Sequence, residues 1–148
     1  MSSVELEVIR PEEMEWGREL RNKNSQFFYS NWQLTREEFL GKTREYHPFY
    51  VINVEGRRVG TISVTPKEEN WYEIGSVLIE ENLRGSGLWR EVMAEVEARH
   101  SGNYCLEVLV DNQRAIKAYE KVGFVKMGDI ETKGHKAIRM EKRLTTTG

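Results

Sequence analysis

The chain holds one cysteine, Cys105, three histidines and three prolines in 148 residues. A single thiol excludes an internal disulfide and suits a reducing cytoplasm. Three scattered histidines leave too few ligands for a zinc site, and no metal is expected. No apolar run nears the roughly 20 residues that span a bilayer. The start, Met1 to Val8, lacks both the basic head and the apolar stretch of a secretion signal. With a net charge of −2 and 31% of residues charged in mixed sign, there is no basic field to draw nucleic acid or an anionic membrane. Repeats, low-complexity tracts and linkers are also missing. The length therefore fits one domain over residues 1–148 with one sizeable core.

What is present is a regular alternation of strand and helix patterns. Val4 to Val8 alternates apolar and acidic residues, the period of a half-buried strand. Pro11 opens a helix, with Glu12 and Glu13 complementing its dipole. Ser25 to Trp32 reads as an aromatic and polar loop, and Thr35-Arg36-Glu37-Glu38 as a capping box that starts a helix to about Arg44. Tyr50–Val54 and Arg58–Val64 flank Glu55-Gly56 as a hairpin. Trp71–Ile79 is a further strand, with Gly75 the point of irregularity. Leu88 to His100 has helical spacing, and Tyr104–Val110 is apolar enough for a central strand covered on both faces. A helix follows from Asp111 or Asn112 to just before Gly123. Phe124–Met127 and Ala137–Met140 supply the last strands. The expected order is β-α-α-β-β-β-α-β-α-β-β, with one right-handed β-α-β crossover.

That crossover contains the most telling residues, Arg84-Gly85-Ser86-Gly87-Leu88-Trp89-Arg90. A glycine turn between strand and helix aims unpaired N–H groups at a helix N-terminus, where the peptide dipoles favour an anion. Without a Cβ, glycine lets the main chain approach a phosphate closely. A dinucleotide fingerprint fails, because Arg90 stands where its third glycine belongs. A triphosphate loop at Gly41-Lys42-Thr43 fails as well, because Arg36 replaces its first glycine.

Arg84-Gly85-Ser86-Gly87 resembles instead the Arg/Gln-x-x-Gly-x-Gly/Ala signature of the GNAT acetyltransferases. Asn112-Gln113-Arg114-Ala115-Ile116-Lys117-Ala118-Tyr119-Glu120-Lys121-Val122-Gly123-Phe124 resembles the second signature of that family. The resemblance covers roughly residues 50 to 142. It implies an α/β (α+β) fold with a mixed, mostly antiparallel sheet and a central, splayed pair of parallel strands. It also implies acetyl-CoA as acetyl donor, with its pyrophosphate on the turn Arg84, Gly85, Ser86, Gly87, Leu88, Trp89 and Arg90. Main-chain groups of Val77, Leu78 and Ile79 would meet the pantetheine arm, and Asn112 would touch the coenzyme besides capping its helix. Trp89 departs from the pattern, standing where the family has a small residue; its ring either narrows the approach to the phosphates or turns into the core.

By the same resemblance Tyr119 protonates, or hydrogen-bonds to, the departing thiolate; its alternative role is to fill the apolar helix face it shares with Ala115, Ile116 and Val122. Glu107 stands out on physical grounds. A carboxylate within Leu-Glu-Val-Leu-Val is out of place in a central strand unless it is paired or faces a cleft. Burial would make it a stronger base, whereas an ion pair, for instance with Arg114, would make it structural. Seven helical rises from Asn112 carry Tyr119 roughly 10 Å back toward the level of Glu107. This strand and spacing resemble the ribosomal-protein alanine N-acetyltransferase branch, where the glutamate takes the proton of the amine. Glu73 is the rival base, and a water chain to either carboxylate stays open. Cys105 reads as packing rather than a nucleophile.

The expected reaction is direct attack of a primary amine on the thioester, with a backbone N–H near Ile79 at the developing oxyanion. The acceptor is a peptide N-terminus, an amino-acid-like molecule or another small amine, walled by Ser25–Trp32 and Gly128–His135. The chain is expected to act in the cytoplasm as a monomer or homodimer. Two alternatives remain: a non-catalytic acyl-CoA sensor of the same fold, and an interaction domain built on the Phe27–Trp32 aromatics.

Overall fold

A computed structural model describes residues 3–85 and 87–144 of the chain. Its elements run β1 (Val4–Val8), a 3-10 turn (Pro11–Glu13), α1 (Met14–Lys23), α2 (Arg36–Glu45), β2 (Phe49–Val54), β3 (Arg57–Pro66), β4 (Trp71–Ile79), α3 (Leu88–Arg99), β5 (Asn103–Leu109), α4 (Gln113–Lys121), β6 (Val125–Thr132) and β7 (His135–Lys142). The order of strands and helices is the expected one. All seven strands form one sheet in the spatial order β1-β2-β3-β4-β5-β7-β6. Every neighbouring pair is antiparallel except β4 and β5, which run parallel around the α3 crossover.

Both faces of the sheet are covered, and β2 shows why. Its alternate residues Tyr50 and Ile52 pack with Val92, Met93 and Val96 of α3, whereas Phe49 and Val51 pack with Leu34 and Phe39 beside α1 and α2. Burial on two sides turns the strand into a continuous apolar run. Tyr119 and Phe124 join the α3 face, so α3 and α4 lie on one side and α1 and α2 on the other. The capping box is formed as expected: Glu38 N–H donates to Thr35 Oγ1 at 3.2 Å, and Thr35 N–H donates to Glu38 Oε1 at 2.9 Å.

Two regions differ from expectation in their boundaries. Pro11–Glu13 is a single 3-10 turn, and α1 starts at Met14. Glu13 there is buried, with Oε1 accepting the Arg10 N–H at 3.0 Å, so it serves as a cap in addition to complementing the dipole. The last two strands reach beyond Met127 and begin before Ala137, because they form one long hairpin at the sheet edge. An edge strand with one solvated face needs few apolar residues, so its outer part carries little hydrophobic signal. Among the described residues, no helix is long and apolar enough to cross a membrane.

Candidate active site

β4 and β5 pair only from Trp71↔Asn103 to Glu73↔Cys105. Beyond that point they separate, each held by its other neighbour, β3 or β7. A bulge in β4 accompanies the separation. Ser63 faces Gly75 and Thr61 faces Leu78, so Ser76 and Val77 together oppose the single residue Ile62. Ser76 takes the left-handed conformation, with φ 49°, one residue past the expected irregularity at Gly75. The buried Thr61 hydroxyl donates to the Ser76 carbonyl at 2.7 Å and holds the bulge. Bulges bend and overtwist a strand, which turns the end of β4 away from β5.

A cavity of about 380 Å³ occupies the gap. Its walls include Glu73, Ile74, Val77 and Leu78 from β4, Leu106, Glu107 and Val108 from β5, and Asn112 and Tyr119 from the α4 side. Phe27, Phe28, Tyr29 and Ser30 from the loop after α1, Tyr46 beyond α2, and Thr132 and Lys133 from the β6–β7 hairpin complete it. Both acceptor walls expected from sequence, Ser25–Trp32 and Gly128–His135, thus contribute to it.

At the far end of β4 lies the glycine turn. Gly85 and Gly87 both take left-handed φ, 82° and 86°, and nothing lies within 4 Å of where a Cβ would stand on either. Side chains are strained in that conformation, and the open space gives an anion room beside the N-terminus of α3. Arg90 N–H bonds to the Gly87 carbonyl at 3.2 Å, so it is the Leu88 and Trp89 amides that begin the helix without a main-chain acceptor among the described residues. Ser86 lies outside the described residues. These features fit a diphosphate. Arg84 does not point outward: its guanidinium donates to the Ile79 carbonyl at 3.0 Å and to Asn24 Oδ1 at 2.9 Å. Of the three β4 residues expected to meet the pantetheine arm, Val77 and Leu78 line the cavity and Ile79 stands outside it. Asn112 caps α4, its Oδ1 accepting the Ala115 N–H at 3.3 Å, and lines the cavity as well.

Glu107 faces this cleft and is exposed, so of the alternatives left open it is the cleft, not burial, that accommodates the carboxylate. Its partner is the Tyr29 hydroxyl, which donates to Oε1 at 2.9 Å. No ion pair with Arg114 forms among the described residues. Arg139, opposite Glu107 on β7, directs Nε to Glu141 at 3.1 Å instead. Glu73 lies on the other wall and is the less exposed of the two carboxylates, with Lys67 Nζ 3.6 Å away. Burial and the Glu107 carboxylate together push the Tyr29 phenol above its ordinary value. Tyr46 is raised in the same direction, chiefly by burial. Both phenols therefore stay protonated and able to donate at neutral pH.

Tyr119 enters from the opposite face. It is buried, and burial raises its phenol well above the ordinary value. The Trp89 ring sits edge-on against it, with centroids 5.4 Å apart, and Phe124 follows at 5.8 Å. Trp89 therefore turns into the core, the second of the two orientations expected for its ring. Its indole N–H is buried without a partner among the described residues. Burial also raises the Cys105 thiol, keeping it from the thiolate form that a nucleophile needs.

Sequence reasoning missed two contributors. Tyr29 was one of several loop aromatics with nothing to single it out. Arg21 was unmarked, although it sits on the buried face of α1, one turn beyond Gly17. Its guanidinium donates to Ser25 Oγ at 2.9 Å, to the Ser30 carbonyl and to Ser30 Oγ at 3.3 Å, and lies 4.2 Å from the Phe28 ring centroid. A buried arginine so fully paired holds the loop in one shape.

Comparison with known proteins identifies the family and the fold. Residues 10–124 match the model of the Acetyltransferase (GNAT) family. No protein of curated function matches the chain in sequence. Among solved structures, a spermidine N-acetyltransferase from Vibrio cholerae in complex with CoA and spermine superposes with TM-score 0.78 at 17% identity, covering 95% of each chain. An acetyl transferase from Salmonella typhimurium that modifies the N-terminal serine of ribosomal protein L7/L12 gives 0.80 at 15% identity, covering 98% of this chain and 97% of that one. Ard1 from Thermoplasma volcanium gives 0.77 at 21% identity, covering 97% and 99%.

Proposed function

The chain belongs to the GNAT acetyltransferase family, and on that premise we propose that it acetylates the α-amine of a peptide N-terminus or an amino-acid-like molecule, with Glu107 as base and Tyr119 at the leaving sulfur. One observation carries the reading: Glu107 from one face of the sheet and Tyr119 from the other line the same cavity, in the gap between β4 and β5. Acetyl-CoA supplies an activated acetyl thioester. The amides of Gly85, Gly87, Leu88 and Trp89 hold its diphosphate, and the unpaired edge of β4 at Val77 and Leu78 receives its amide-bearing arm.

Glu107 Oε1 is occupied by Tyr29, which leaves Oε2 to take the proton of the amine. An α-amine near pKa 8 yields that proton more readily than a lysine near 10.4. The aromatic loop suits an acceptor with an apolar body, and the two facing carboxylates suit one that arrives as a cation. The neighbour that acts on a ribosomal-protein N-terminus supports the peptide class. Because burial raises Tyr119, full transfer to a thiolate whose conjugate acid lies near 8.5 runs uphill. Tyr119 therefore acts by hydrogen bonding to the sulfur as charge develops there. Holding the reactants in line supplies much of the remaining rate.

The test is thiol release from acetyl-CoA against a panel of amino acids, short peptides and polyamines, with mass spectrometry of the product. Glu107→Gln and Tyr119→Phe are each expected to lower kcat by about 100-fold. Unchanged turnover in both variants would overturn the residue roles. If no amine accelerates thiol release while acetyl-CoA still raises Tm, the chain is a binding module.

A further inference from the structure

We infer that Arg84 is a positioning residue that couples the donor turn to the acceptor loop, and that its side chain serves the protein rather than the diphosphate. The inference rests on the reading of the glycine turn as the donor site. Three contacts support it. Nε donates to the carbonyl of Ile79, at the end of β4. Nη2 donates to Oδ1 of Asn24, at the end of α1. The guanidinium carbon also lies 6.0 Å from the ring centroid of Phe27, which lines the acceptor end of the cavity.

Asn24 is a fixed target. It is buried, its Nδ2 donates to the Leu20 carbonyl at 2.9 Å, and its N–H donates to the Arg21 carbonyl at 3.0 Å. The planar guanidinium fork meets both oxygens at once, which a lysine cannot do from the same place. Arg84 immediately precedes Gly85 in the turn. Glycines leave an empty turn conformationally free, and an anion bound by its amides restricts that freedom. The restriction passes to Arg84, and through Asn24 and Phe27 to the loop that carries Tyr29. By linkage, whatever orders the loop also favours the donor.

Hydrogen exchange of the full chain, with and without saturating coenzyme A, tests the coupling. In the native chain, coenzyme A is expected to slow exchange about fivefold or more in both segments, 85–90 and 25–34. In Arg84→Gln, and independently in Asn24→Ala, it is expected to slow segment 85–90 only. Asn24→Asp, which keeps the acceptor oxygen for Arg84 and loses only the donor to the Leu20 carbonyl, is expected to restore at least part of the response of the loop. A purely structural Arg84 would speed loop exchange equally with and without coenzyme, leaving their ratio at the native value. That result, or a native loop indifferent to coenzyme A, overturns the coupling. If segment 85–90 itself is not slowed in the native chain, the donor-site reading fails, and the coupling fails with it.

Discussion

The Tyr29 hydroxyl reaches Glu107 Oε1 at 2.9 Å across 78 residues of sequence and joins the loop after α1 to β5 at the wall of the cavity. The bond orients the carboxylate from a loop that Arg21 has already fixed. Tyr29→Phe is expected to lower kcat/KM about tenfold, the size of one hydrogen bond to a charged group. In a Glu107→Gln background the same change should have little further effect, since both residues act through one contact. Steady-state thiol release on the four proteins of this cycle is the measurement.

Trp89 separates packing from polarity. Trp89→Ala removes the ring that supports Tyr119, and a loss of about 3–5 kcal/mol is expected from urea unfolding. Trp89→Phe keeps an aromatic ring and deletes the unpartnered indole N–H, whose burial costs about 1–3 kcal/mol. The smaller ring gives up some packing in return, so its stability should stay within about 1 kcal/mol of the native chain.

Thr61 holds the bulge of β4 through the Ser76 carbonyl. Thr61→Val preserves the shape and removes the hydrogen bond, leaving that carbonyl without its partner. A loss of about 1–2 kcal/mol is expected by denaturant titration. Coenzyme A binding, followed by calorimetry, should weaken as well, because the bulge sets the course of the donor strand.

Away from the site, His100 makes stability depend on pH. Its Nε2 lies 2.7 Å from the Tyr50 hydroxyl, and its carbonyl accepts from Tyr104. Burial, followed by the charge of Arg99, lowers its pKa. The unfolded chain therefore takes up the proton first, near its ordinary value of about 6.5. The contribution is fully present above that pH and is lost as pH falls from there through the lower folded-state value. Urea midpoints between pH 7.5 and 5 should fall more steeply for the native chain than for His100→Gln.

Much of this architecture is legible in the sequence, because the signals that matter are local. The apolar run around Glu107 marks both a central strand and an anomaly within it, and the anomaly does face a cleft. Asn112 announces its cap, and Thr35 announces its box. The failures are non-local. Nothing near Tyr29 says that it meets β5, and nothing near Arg84 says that its side chain turns inward toward Asn24. The extent of β6 was hidden because an edge strand with a solvated face needs no apolar alternation to form. Glu107 has buried neighbours along its strand, and the sequence alone does not say whether its own side chain is buried, paired or turned to a cleft.

That separation divides the labour of recognition unequally. On the proposed reading, the contacts at the donor end are peptide groups, which depend little on the side chain. Substitutions along the β4 edge can therefore accumulate without abolishing them. At the acceptor end the contacts are particular side chains, and a single replacement rewrites what the mouth accepts. A scaffold divided in this way can keep one donor while its acceptors diversify.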